Sequence, residues 1–413
     1  MTNSIPCLLA VAVTSSLVLA QAPATGGWSM KPGSGLQYDG GDAFGLKWTN
    51  RLQVHWTYAN NEDAADSNSF NIRRLRSKLA GHIFHKNLLY TIELDGTDSG
   101  ASGDGAIKEG WAQWNFCNCD DGAIGLRVGQ AKTMYGLEAT GSSGGLWFVE
   151  RSSASRAFSD GYSRGAWLNG VLVDHKLRWV AGAMNTDTAS GLGAGYTDRG
   201  EETANSDNEL SYVFTLNFDP LGDFFGGKQT MEGFRQGDWR TDDTSLKGTV
   251  GVGLGIGNGR TGPAATDSDI DTTAINLNSA WTVNRINILG EWFMRTDDPD
   301  GGADKEEPTG WGVSLGYLLP KNGDSAIQWG FGVRVNEVDT DNGGNGTVNF
   351  LTGAQGGLGA AEGKVREISL VANAFYHGHN CKTQIEYTLQ DVEPDAGADR
   401  TNHLIRIGFQ LEL

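Results

Sequence analysis

Arg74, Arg76 and Lys78 occupy alternate positions in FNIRRLRSKLAG, with Leu75 and Leu79 on the opposite parity. In an extended strand, residues two apart share a face. Like charges aligned in this way repel one another and make a poor buried face. On a solvated outer face they need no explanation, and on the wall of a water-filled lumen they form a ladder of sites for an anion. Arg51 in FGLKWTNRLQVHWTY, Arg127 in GLRVGQ and Arg178 in KLRWVAGAM sit on polar parities of the same kind. Glu93 and Asp95, from TIELD, would moderate such a ladder, because a conducting site must release its ion as well as attract it.

A second group of cations is not on strands. The stretch GLRVGQAKTMYGLEATGSSGGLWFVERSSASRAFSDGYSRG, residues 125–165, alternates only as far as Lys132. A long aperiodic segment inside a compact domain is usually functional or disordered. Trp147, Phe148 and Phe158 need something to pack on, which argues against disorder. With Lys132, Arg151, Arg156 and Arg164, the segment reads as an aromatic-anchored loop folded into the mouth of a barrel and lining it with positive charge.

The elements that must position these groups are strands. In residues 44–58, Leu46, Trp48, Leu52, Val54, Trp56 and Tyr58 share one parity, and Lys47, Arg51, Gln53 and His55 the other. This apolar-out, polar-in pattern is long enough to cross a bilayer as a tilted strand. Soluble sandwich strands are shorter, about 5–6 residues. Similar segments follow at 70–84, 88–95, 107–116, 124–132, 166–174, 176–184, 209–219, 246–257, 271–283, 285–295, 309–319, 325–336, 364–376, 381–392 and 402–413. Sixteen is an even number, as single-chain outer-membrane barrels show. Short turns such as NR, KNGD and HGHN alternate with long Asp/Gly/Asn loops, so short connections are expected on the periplasmic side and long ones outside. The expected fold is all-β: a closed antiparallel transmembrane β-barrel of about 16 strands with an inward-folded constriction loop. The connection 220–243 has no evident role in this pattern.

Composition agrees. Glycine accounts for 60 of 413 residues, about double the usual 7%, and 13 Trp, 10 Tyr and 16 Phe suit aromatic girdles. The apolar run 7–20 is too short to span a bilayer; Val18-Leu19-Ala20 suits signal peptidase, giving a signal peptide at 1–20, a leader at 21–43 and the barrel at 44–413. Cys117, Cys119 and Cys381 then remain, an odd number with no complete disulfide framework. The net charge of −18 excludes nucleic acid as a natural partner. Its carboxylates concentrate in loops, where they are able to hold divalent cations with lipopolysaccharide. Asp339, Asp341 and Asn342 lack the terminal Glu of a Ca²⁺ loop and read as solvated turn residues, so no metal or cofactor is expected.

The leader GLQYDGGDAFGLKWTNRLQVHW, FNIRRLRSKLAG, IELD, and VGQAKTMYGLE with FVERS resemble, in order and spacing, the phosphate-selective porin O and P family. The resemblance implies a trimeric, sixteen-stranded outer-membrane channel with inward constriction loops and basic residues leading an anion, phosphate or another, to a central site. By motif, Arg74 and Arg76 correspond to the basic pair of the second strand, Asp95 to the acid ending the third, Lys132 to the Lys after VGQ, and Arg151 to the Arg of ERS.

A general pore of low selectivity for small hydrophilic solutes is the competing reading. An enzyme would need a nucleophile with a positioned His. Ser142, Ser143, His82, His85 and His175 supply residue types only, without G-x-S-x-G, H-E-x-x-H or a P-loop. A soluble β-sandwich adhesin is the remaining class; it would not need detergent, whereas a barrel with a lipid-facing band would.

Overall fold

The computed structural model describes residues 26–62, 65–97, 106–119, 122–159, 161–185, 210–261, 268–299, 305–321, 323, 325–340, 363–395 and 397–413. The segment 1–20 expected to be a signal peptide, the acidic stretch 186–209, and Asp341 and Asn342 lie outside them.

Strands β1 (Gly27–Lys31) and β2 (Gly35–Asp39) form a leading hairpin. They are followed by β3 (Phe44–Asn60), β4 (Ser67–Ile83), β5 (His85–Asp95), β6 (Ala106–Cys119), β7 (Gly122–Lys132), β8 (Tyr162–Leu172), β9 (Leu177–Asn185), β10 (Leu210–Phe218), β11 (Lys247–Thr261), β12 (Ser268–Val283), β13 (Ile286–Pro299), β14 (Thr309–Leu318), β15 (Gln328–Asp339), β16 (Gly363–Phe375), β17 (Cys381–Pro394) and β18 (Arg400–Glu412). From β3 to β18 every strand pairs antiparallel with its successor. Pairing of β18 with β3, from Glu412↔Arg51 to His403↔Asn60, closes a sixteen-stranded barrel. The sixteen strands expected from alternation correspond one for one to β3–β18. Only β1 and β2, inside the leader, went unread, and β6 runs on through the expected turn at Cys117 to Cys119.

The burial pattern is inverted relative to a soluble protein. Along β10, Leu210, Tyr212, Phe214, Leu216 and Phe218 are exposed, while Ser211, Val213, Thr215 and Asn217 are buried. Along β18, Ile405, Ile407 and Phe409 are exposed, while Arg406 and Gln410 are buried. An apolar outer face around a polar interior is the pattern of a lipid-embedded barrel. At the short-turn end, β12 and β13 are joined by Asn284 and Arg285, both with positive φ (43° and 72°), which matches the twist of a two-residue hairpin.

Two segments occupy the interior. From the long-loop end, the connection between β7 and β8 carries α1 (Leu137–Thr140) and α2 (Ser153–Ser159). Met134, Tyr135, Ala154 and Phe158 pack against Trp167, Val180, Met184, Val213, Ala274, Phe293 and Val338 of the inner wall. From the opposite end, the 220–243 connection, extended at both ends to span 219–246, turns inward. Its Phe225, Met231 and Phe234 pack with Leu137, Ala280 and Leu289. The two segments bond to each other, the amide of Ser142 donating to the carbonyl of Phe234 and that of Gln236 to Gly145.

Trp147 is the anchor of this arrangement. It is fully buried, lies tilted against Phe375 with ring centroids 5.4 Å apart, and donates its indole N–H to the Phe331 carbonyl at 3.2 Å. A Cβ on Gly316, Gly330 or Gly332 would fall 2.6–2.8 Å from its ring, so these inward-facing glycines make its bed. Trp147→Ala is expected to cost about 3–5 kcal/mol, read as a lower unfolding midpoint of the barrel in detergent; an unchanged midpoint would show that the segment is not held there.

Candidate channel constriction

The inserted segments pack their apolar side chains on the inner wall of β8–β10 and β12–β16, and a cavity lies on the β3–β7 side. A cavity of about 230 Å³ is walled there by Lys47, Thr49, Arg51, Arg76, Lys78, Ala80, Glu93, Glu109, Trp111 and Lys132, with Ser142 and Ser143 from one segment, Glu232 from the other, and Glu412 from β18. Its wall therefore carries five cations and four carboxylates, a net of one positive charge.

Strand alternation explains who faces in. β3 and β4 pair Arg51↔Arg76 and Thr49↔Lys78, and a bulge between Gln53 and Val54 leaves Arg73 as the extra residue on β4. The cations are mostly compensated. Arg51 lies 3.4 Å from Glu412 and donates to Ser143 Oγ at 3.0 Å. Arg76 reaches Glu93 at 3.1 Å and Asp95 at 2.8 Å, and Lys78 reaches Glu109 at 2.7 Å and Glu93 at 3.4 Å. The cation ladder of β4 thus faces a carboxylate ladder on β5 and β6, which lowers the cost of bringing both toward the protein interior.

Lys132 is different. Its ammonium donates to the carbonyls of Thr140 and Gly141, both at 2.7 Å, and pairs with no carboxylate among the described residues. Arg151 donates beside it to the carbonyls of Glu138, Ala139 and Gly141, so the two cations satisfy the orphan acceptors at the end of α1. Lys47 is exposed on the cavity wall and has no ion-pair partner among the described residues. It was not singled out from sequence, although it shares the polar parity of Arg51; that parity was the available signal.

Of the other expected pore cations, several sit elsewhere. Arg74 is buried against Glu150 at 3.0 Å, with Arg73 on the same carboxylate at 2.6 Å and His55 at 3.7 Å. Burial alone would raise the Glu150 carboxyl, but Arg74 and Arg73 outweigh it and hold it well below the ordinary value. Arg127 stacks over Trp111 and pairs with Glu232 at 2.9 Å. Arg178 is buried, bound to Asp219 and Asp223, where it fastens the start of the 219–246 segment. Arg156 is on α2. Arg164 corrects the expectation of a lumen position: it shares the outward parity of Leu168, with its Nε 3.1 Å from Gln130 Oε1. The reason is that β8 begins at Tyr162, so strand parity rather than loop geometry sets its direction.

Sequence reading also missed the cations of the C-terminal strands. Arg334 and Arg406 both lie 3.4 Å from the fully buried Glu386, whose other oxygen accepts the amide of Val149 at 2.7 Å. Lys382 donates to the Leu146 carbonyl at 2.6 Å and lies 3.3 Å from His379 Nδ1. Burial, then the Lys382 charge, hold the His379 imidazole well below its ordinary value and hence neutral; its Nε2 meets the Gln236 carbonyl at 2.6 Å. The hydroxyl of Ser143 accepts from Arg51, and His82 binds the Gly41 carbonyl.

A closed lipid-facing barrel, with segments folded in from both ends beside a charged off-centre cavity, has the architecture of an outer-membrane diffusion channel. The sequence pattern of phosphate-selective porin O and P matches residues 48–412, and the chain belongs to that family, in the bacterial outer membrane. Among solved structures it is similar to the outer membrane channel DcaP of Acinetobacter baumannii (TM-score 0.57, 10% identity, covering 90% of this chain and 98% of that one). It is similar also to an anion-selective porin from Comamonas acidovorans (0.54, 11%, 89% and 99%) and to the trimer form of OmpT of Vibrio cholerae (0.53, 12%, 89% and 100%). At these identities the likeness is one of fold. A comparison with curated proteins gives no match.

Proposed function

We propose that the chain is a passive outer-membrane pore for small anions, which pass along the wall formed by Lys47, Arg51, Arg76, Lys78 and Lys132. The observation that carries this reading is the net positive cavity with two cations, Lys47 and Lys132, that no described carboxylate pairs. Such cations replace part of an anion's hydration without trapping it. The anion selectivity of the Comamonas porin supports the substrate class, and the OmpT trimer supports assembly as a homotrimer. Residues 1–20 serve as the export signal, and the acidic outer loops contact lipopolysaccharide. The compensation of Arg51, Arg76 and Lys78 by Glu412, Glu93 and Glu109 favours modest selectivity over tight phosphate capture.

Single channels in planar bilayers under a KCl gradient test this. A reversal potential on the chloride side, weakened in Lys132→Ala, is expected. A cation-selective wild type would overturn the reading. Phosphate titrated into the bath decides between the readings: block at low concentration means a dedicated phosphate site, and its absence means a pore of broader selectivity.

A further inference from the structure

The leader hairpin has no part in the channel. β2 pairs with the first residues of β3, from Leu36↔Trp48 to Asp39↔Gly45, on the edge that β18 leaves open once it ends at Glu412↔Arg51. β1 pairs with β2 in turn, Trp28↔Tyr38 and Met30↔Leu36. The hairpin therefore continues the barrel sheet beyond its closing strand, at the short-turn end, and the pairing carries the barrel's parity with it. Leu46 and Trp48 belong to the outer, apolar parity, so Tyr38 and Leu36, and beyond them Trp28 and Met30, lie on the outer face as well. Ser29, Gln37 and Lys47 fall on the inner one.

Trp28 is 62% and Met30 70% exposed, and Trp28 packs at a tilt against Tyr38, which neighbours Phe44 in turn. A soluble hairpin would present its polar face outward and bury these side chains. Here they share the outer face with the exposed Phe409 of β18 and Leu413 just beyond it. The residue types fit one occupant: Trp and Tyr prefer the membrane–water boundary, where the ring is apolar and the N–H or O–H stays wet. Short turns mark the periplasmic side of such barrels.

We propose that the β1–β2 hairpin is a membrane-contacting element, with its Trp28, Met30, Leu36 and Tyr38 face seated among the phospholipid headgroups of the periplasmic leaflet. It widens the aromatic girdle under β17 and β18, and it fixes the start of β3 at the bilayer boundary.

The test is nitroxide scanning of the whole chain, reconstituted in phospholipid vesicles, with Cys7, Cys117, Cys119 and Cys381 replaced by serine. Labels are placed singly at Trp28→Cys, Ser29→Cys, Met30→Cys and Lys31→Cys, with Phe409→Cys as a lipid-facing reference. Apolar oxygen and a water-soluble nickel chelate serve as relaxation probes. Positions 28 and 30 are expected to match position 409, with oxygen dominant, and 29 and 31 to reverse the ratio. Nickel access at 28 and 30 would overturn the proposal in favour of a hairpin free in the periplasm. Shielding of 28 and 30 from both probes would overturn it in favour of a second copy covering this face. The internal alternation guards against misfolding, since a disordered leader would give one uniform value at all four positions.

Discussion

Glu150→Ala is expected to be the most damaging single change in the interior, lowering barrel stability by about 3–5 kcal/mol and raising single-channel conductance together. Glu150 receives Arg73 at 2.6 Å and Arg74 at 3.0 Å, with His55 nearby. Removing it leaves Arg74 buried without its counter-charge, the expensive half of a broken ion pair. The same residue's carbonyl accepts Arg334 from the opposite wall at 2.8 Å, so Glu150 is where the inserted segment crosses from β15 to β4. Loss of the β4 attachment lets residues 148–151 move away from β3–β4, which enlarges the passage. Thermal unfolding in detergent and bilayer conductance check the two effects separately. A stable variant of unchanged conductance would refute the account.

Acidification should not mimic that variant. The folded Glu150 carboxyl is held below its ordinary value of 4.5. Its stabilising contribution is therefore complete above that pH and is lost only as pH falls through the depressed value. At pH 5 the wild type should keep its conductance, where Glu150→Ala has already lost the attachment.

How much of this was readable in the chain depends on what each residue answers to. Parity in a strand is a local property, so alternation put Arg51, Arg74, Arg76, Lys78, Arg127 and Arg178 on the polar faces of their strands, and the family resemblance turned those faces toward the lumen. Their partners are not local. That Arg76 meets Glu93 and Asp95 follows from a register between β4 and β5, and that Arg74 meets Glu150 follows from a segment 76 residues away. Pattern reading marks a cation without showing whether it is neutralised, which is why Arg74 and Arg178 looked like pore residues while Lys47, read on the polar parity, was not singled out. Trp147 illustrates the same limit. Its aromatic character demanded a site, but the site is three glycines on β14 and β15, whose spacing in LGY and WGFG reads as ordinary strand weakness until the ring is seen above them. The 219–246 segment offered still less. It sits at the end where turns are short, and only its Phe225, Met231 and Phe234 betrayed a need for burial.

Lys47→Glu is expected to reverse the ion preference without disturbing the fold. Lys47 is exposed on the cavity wall and pairs with nothing among the described residues, so its replacement leaves no buried charge behind. The substitution turns a wall of five cations and four carboxylates into one of four and five, from one net positive charge to one net negative. A unit charge about 6 Å from a passing ion, across water, is worth about 0.7 kcal/mol. A change of two units then alters the entry of each ion about tenfold, disfavouring anions and favouring cations. Lys47→Ala should fall midway, near neutrality. The reversal potential of the two variants in a KCl gradient measures this directly, best at low salt, where screening over the width of the passage is weakest. Graded loss of anion preference from wild type through alanine to glutamate would locate the ion path along this wall. Anion preference retained by Lys47→Glu would place it elsewhere in the barrel, and the cavity against β3–β7 would then be a dead end rather than the channel.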